Sequence, residues 1–160
     1  MRGLLLFLGL GLMFWLAAVL DSGAAPRLMI LGGRFEFLLA AAAGLSIATR
    51  PALGALWGFI AGVVAGGMSG ANMAHYTISY ATSCFLACYA AKLPLEQKGG
   101  IALLELAGTI LVAKLIYMFL AAPPNVGSYL ASASISAILS SFVGLAVYAL
   151  ARRIFQSKEV

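Results

Sequence analysis

Charge is what this sequence has least of. Asp, Glu, Lys and Arg together make up 9% of the chain, where a soluble domain carries about a quarter. Histidine occurs once, as His75, so no histidine pair exists to ligate a metal or relay protons. The two cysteines, Cys84 and Cys88, lie four residues apart in an apolar stretch. Helix geometry does not favour a disulfide at that spacing, and two thiols with no His or acid beside them make a poor metal site. They read as small packing residues. No Walker-type phosphate loop occurs, which argues against ATP hydrolysis by this chain alone. Neither a nucleophile motif nor an acidic relay is visible, so no catalytic residue, metal or cofactor is expected.

What fills the chain is apolar. Hydrophobic residues make up 63% of it and the mean hydropathy is +1.04. That balance excludes a soluble fold and implies an all-α integral membrane protein, one transmembrane domain over residues 1–160. The net charge of +5 does not point to nucleic acid. Its basic residues sit between apolar segments rather than in one patch that tracks phosphates.

Hydropathy separates six helices, at about 3–20, 35–49, 52–68, 71–91, 101–121 and 127–151. The first resembles a signal peptide in outline, but its apolar run exceeds the usual h-region of roughly 7–15 residues. It reads as a retained helix. Six crossings put Arg2, Arg50, Lys92, Lys98, Arg152, Arg153 and Lys158 on one side, against Arg27 and Arg34 on the other. Such a bias places both termini in the cytoplasm. The first outer loop holds an apolar island, Leu28 to Leu31, too short to span; it is expected along the outer interface or as a cap over the helix ends.

Two ladders of small residues stand out. Gly54, Gly58, Gly62, Gly66 and Gly70 recur every fourth position, as do Ser128, Ser132, Ser136, Ser140 and Gly144. A spacing of four keeps residues near one helix face, drifting about 40° per step. In a bilayer, small residues let helix backbones approach closely. Each ladder serves either a partner's helix or packing within the chain. Burial of Trp57 against a neighbour is expected if the glycine ladder is used internally.

The polar residues are few enough to weigh singly. Lys114 lies within the fifth helix, about 10 Å from its outer end, where it either snorkels, pairs structurally or makes a functional contact. Glu105, nine residues away, is about 180° round the helix and cannot pair with it; it is expected near Lys98 at the inner interface. The fourth helix bears a stripe of Asn72, His75, Tyr76, Ser79, Tyr80 and Ser83 at spacings of three and four. Asn72, His75, Tyr76 and Ser79, with Lys114, form a candidate outward pocket; the plainer use of the stripe is interhelical hydrogen bonding.

The run from Gly58-Phe59 through Gly62 and Gly66-Gly67 to Gly70 resembles the signature region of the MreD family of rod-shape-determining membrane proteins. Chain length, an outer loop with Pro26 and Arg27 after the first helix, the Arg50-Pro51 break and a basic tail extend the resemblance over most of the chain. Gly66 stands where family members often carry aspartate. The resemblance implies a non-enzymatic six-helix scaffold of the bacterial inner membrane, serving cell elongation and peptidoglycan synthesis. Its implied partners are an MreC-like single-span protein, a RodA-type glycosyltransferase and a class B penicillin-binding protein, besides membrane lipid. The second reading is a substrate-binding subunit of an energy-coupling-factor vitamin transporter, which is similar in fold; it requires an outward cavity of roughly 300 Å³ with converging polar groups.

Overall fold

The computed structural model describes residues 2–70, 72–92 and 99–156. These form six helices: α1 (Arg2–Gly23), α2 (Phe37–Ile47), α3 (Pro51–Ser69), α4 (Met73–Ala90), α5 (Gly99–Ala121) and α6 (Val126–Gln156). The only β pairing among the described residues is an isolated bridge between Ile30 and Gly33. Three helices, α3, α5 and α6, are long and apolar enough to cross a membrane.

The helix ends follow local chemistry. Pro51 occupies the first turn of α3, where a missing N–H costs nothing and the fixed φ is already helical. Gly70 closes α3 in the left-handed conformation, φ 61°, which glycine adopts without a Cβ penalty. Pro123 and Pro124 follow the end of α5 and prevent its continuation.

Several boundaries depart from expectation; α1 runs to Gly23 rather than about 20 and α6 to Gln156 rather than about 151. The second helix does not begin near residue 35 but at Phe37, and its 11 residues rise only about 16 Å. Residues 33–36 are non-helical chain instead, following a turn at Leu31 and Gly32. The reason lies in α6, whose serines hold that stretch by its backbone. Ser132 Oγ donates to the Gly32 carbonyl at 2.7 Å, Arg34 N–H donates to Ser136 Oγ at 3.0 Å, and Glu36 N–H donates to Ser140 Oγ at 2.9 Å. Two residues of extended chain advance about 6.7 Å, and four residues of helix rise about 6 Å. The two periods nearly match, so alternate residues of the strand meet successive serines. Gly144 continues the contact: Gly44 is so close to it that a Cβ there would lie 2.6 Å from the Gly144 carbonyl oxygen.

The serine ladder thus serves the chain's own fold at Ser132, Ser136, Ser140 and Gly144. Ser128 instead sits at the start of α6, exposed and bonded to Asn125.

The glycine ladder is also internal. A Cβ on Gly58 would run into the Tyr80 carbonyl oxygen. One on Gly62 would lie 2.6 Å from Thr77 Cα, and one on Gly66 2.7 Å from Met73 Cα. Gly54 meets Cys88 in the same way. These glycines let α3 and α4 pack backbone to backbone, the most extensive helix pairing in the bundle. Trp57 stacks on Phe14 of α1, ring centroids 5.9 Å apart, as internal use of the ladder requires.

At the centre sits α2, which touches all five other helices. Its residues from Leu38 to Ile47 are all buried. A run of four alanines, Ala40 to Ala43, keeps it slim enough to be surrounded. By contrast α1, among the described residues, touches only α2 and α3.

The glycine contacts yield a paired expectation. Gly58→Ala destabilises the fold by about 1–3 kcal/mol through overpacking, despite alanine's better helix propensity. Gly67→Ala, with nothing within 4 Å of its added methyl, is neutral or gains up to about 1 kcal/mol. Thermal unfolding of the two variants in detergent checks this; equal behaviour would refute the close-packing account.

Candidate functional site

The extended segment carries a charge into the bundle. Glu36 is 3% exposed, a rare condition for a carboxylate unless it is paired. Lys114 Nζ of α5 donates to Glu36 Oε1. Arg34 Nε approaches the same oxygen at 3.5 Å. Arg34 and Glu36 are two residues apart in extended chain, which puts their side chains on one side. Tyr80 Oη of α4 donates to Glu36 Oε2 at 3.5 Å. One carboxylate therefore ties the strand to α4 and α5.

A second acid does related work. Asp21, near the end of α1, accepts from Phe37 N–H at 2.7 Å and from Leu38 N–H at 3.0 Å. Glu36, at the N-cap of α2, makes no side-chain cap bond. Asp21 supplies the cap from another helix, and its negative charge suits the positive end of the α2 dipole.

Aromatic hydroxyls surround the pair. Tyr76 packs edge-on to Tyr80, centroids 5.8 Å apart, and against Tyr117 at 4.6 Å. Tyr129 Oη donates to the Lys114 carbonyl at 3.1 Å. Two cavities flank the cluster, with Arg34 lining both. One, about 260 Å³, is lined by Asp21, Glu36, Tyr76 and Tyr80 among others. The other, about 270 Å³, lies between the hairpin, α5 and α6, and is lined by Lys114, Tyr129 and Ser132.

The expected pocket is therefore redrawn. Tyr76 lines the first cavity and Lys114 the second, but Asn72, His75 and Ser79 line neither. Asn72 stands exposed at the N-cap of α4. His75 packs edge-on to Tyr117 at 6.3 Å. Ser79 Oγ donates to the carbonyls of His75 and Tyr76 on its own helix, at 2.7 and 3.0 Å.

Lys114 pairs rather than snorkels, and its partner comes from outside the set Glu105 and Lys114 that the sequence offered. Glu105 is partly buried, with one oxygen unpartnered; Lys98, its expected neighbour, lies outside the described residues. Elimination had the signal for Glu36. Of five acids, only Asp21 and Glu36 fall, on the expected six-crossing arrangement, on the side nearest Lys114.

The apolar island forms a tight hairpin. Ile30 and Gly33 exchange N–H···O bonds at 2.9 Å in both directions. The two turn residues have positive φ, Leu31 at 50° and Gly32 at 81°, the pattern of the two-residue turns that match strand twist. Leu31 is 85% exposed at the tip. The island is a projection rather than a cap.

Together these observations define an all-helical bundle of membrane type with a buried ion pair near one end. No family model matches the chain, and no curated protein or solved structure matches it either.

Removing one partner of a buried pair strands the other. Lys114→Met should cost about 3–5 kcal/mol of stability, whereas Glu36→Gln combined with Lys114→Met should cost much less than the two single changes added together. A double-mutant cycle by thermal or denaturant unfolding measures that coupling. Simple additivity would mean that Glu36 and Lys114 are independent.

Proposed function

We propose that this chain is a non-enzymatic membrane scaffold of the MreD type. On this reading it serves the cell-elongation machinery of the bacterial inner membrane and binds an MreC-like single-span protein. A RodA-type glycosyltransferase and a class B penicillin-binding protein are further partners.

The observation that carries the reading is the fate of the signature segment. Gly58, Gly62 and Gly66 are spent on backbone contact with α4, and Gly70 on the turn that follows α3. The motif builds a rigid α3–α4 hairpin rather than holding a reacting group. The polar groups are likewise committed: Glu36 to Lys114 and Arg34, and the hydroxyls of Ser79 and Ser83 to carbonyls of their own helix. A partner helix then docks on the outer faces of the bundle, not on either ladder.

Six crossings with both termini cytoplasmic belong to the same proposal. The second crossing is composite, the extended residues 33–36 adding about 13 Å to a helix that rises about 16 Å. The basic residues then follow the positive-inside rule. A C-terminal reporter active only in the cytoplasm checks the orientation.

The two cavities of about 260 and 270 Å³ favour, as a second reading, the vitamin-binding subunit of an energy-coupling-factor transporter. Each falls somewhat below the roughly 300 Å³ such a ligand needs, and His75 faces neither.

Purification of the tagged chain from its native membrane in mild detergent, with mass spectrometry of what accompanies it, separates the readings. The scaffold predicts an MreC-like protein or elongation enzymes. Recovery of ATP-binding subunits with a coupling protein would replace it by the transporter reading.

A further inference from the structure

The two cavities beside Glu36 differ in the sign of their walls. The first contains both acids, Asp21 and Glu36, facing Arg34. The second contains Arg34 and Lys114 and no carboxylate; the rest of its polar wall is hydroxyl, from Tyr129, Ser132 and Ser136. Both cations share Glu36 Oε1, which leaves one net positive charge beside this cavity of about 270 Å³, and low-dielectric surroundings strengthen its field.

The donors suit a phosphate oxygen. Arg34 meets Glu36 through Nε, and its side chain is 51% exposed. The terminal fork of a guanidinium is the part that grips phosphate in two parallel bonds. Tyr129 spends its proton on the Lys114 carbonyl, and Ser132 spends its own on Gly32. The anion's bonds therefore come from the two cations, while the hydroxyls shape the wall.

Position argues for a lipid. Ser132 lies six residues into α6, about 9 Å along the axis from Val126, a depth at which headgroups meet acyl chains. Met29 forms part of the wall and belongs to the hairpin whose Leu28, Met29, Ile30 and Leu31 are all exposed. An apolar projection beside a cationic cavity offers one molecule a charged site and a surface for its chains.

We propose that the cavity between the outer hairpin, α5 and α6 binds the phosphate group of an anionic outer-leaflet lipid, held by Arg34 and Lys114 with its acyl chains along Leu28 to Leu31. The proposal rests on the orientation put forward above, which sets the hairpin on the outer side, and holds for either partner set.

The test uses the full chain purified in a phosphate-free maltoside detergent and native mass spectrometry. Phosphatidylglycerol is added in one arm, diacylglycerol with the same chains in a second, and glycerol 3-phosphate in a third. One phosphatidylglycerol per chain should be retained, with diacylglycerol and glycerol 3-phosphate at least tenfold weaker, on the order of one charge-assisted contact. Arg34→Gln, which leaves the Glu36–Lys114 pair in place, should weaken retention about tenfold. Ala133→Leu fills the same cavity without changing charge and should do likewise; it carries the test if Arg34→Gln fails to fold. Arg153→Gln, an equal loss of charge on the exposed last turn of α6, should change nothing. Retention unaltered in both cavity variants, or diacylglycerol binding as well as phosphatidylglycerol, would overturn the site. Glycerol 3-phosphate binding as tightly as the lipid, and lost in Arg34→Gln, would overturn the lipid as occupant and leave a soluble phosphate ester in its place.

Discussion

A peptide group inside hydrocarbon has no water to bond, so irregular backbone at membrane depth must find partners in the protein. The bundle is arranged round that demand. The segment from Gly32 to Glu36 has no helix of its own, and three serine hydroxyls of α6 take the Gly32 carbonyl and the Arg34 and Glu36 N–H groups. Where the strand becomes α2, the first free amides go to Asp21 of α1. Serine at every fourth position of α6 is therefore a template for extended chain. The same descent brings Glu36 inside, and a buried carboxylate then obliges Lys114, Arg34 and Tyr80 to converge on it.

The glycine ladder was the most legible feature because its meaning is local. A glycine every fourth residue marks a surface where backbone meets backbone, and the next helix in sequence is the nearest candidate. The structure has that arrangement between α3 and α4. Trp57 behaved as that use of the ladder required, stacked on Phe14.

The serine ladder was equally visible but its purpose was not. Helix periodicity prepares the reader for a helical partner, and here the partner is a strand 100 residues earlier in the chain. The start of α2 differs for the same reason: Phe35 extends the apolar run of the helix, while α6 serines hold the backbone of Arg34 and Glu36 on either side of it. The charge cluster was half legible. Lys114 stands out as a charge within an apolar helix, but its partner Glu36 lies 78 positions away, where helix spacing gives no pointer. The fourth-helix stripe divided, Tyr76 and Tyr80 facing the cluster while His75 and Ser79 serve local packing.

The separation between Glu36 and Lys114 also sets an order of events during synthesis. The two residues lie 78 positions apart, and at roughly 5–20 residues per second the ribosome needs about 4–16 s to make the second after the first. The serines that receive the strand come later still, more than 100 residues on. During that interval the carboxylate has Arg34 two residues away but neither Lys114 nor its rail of serines. The N-terminal half is thus a nascent intermediate whose completion depends on the last helix to emerge. A chain truncated before α6 would keep both cations of Glu36 but would present quality-control proteases with an open strand.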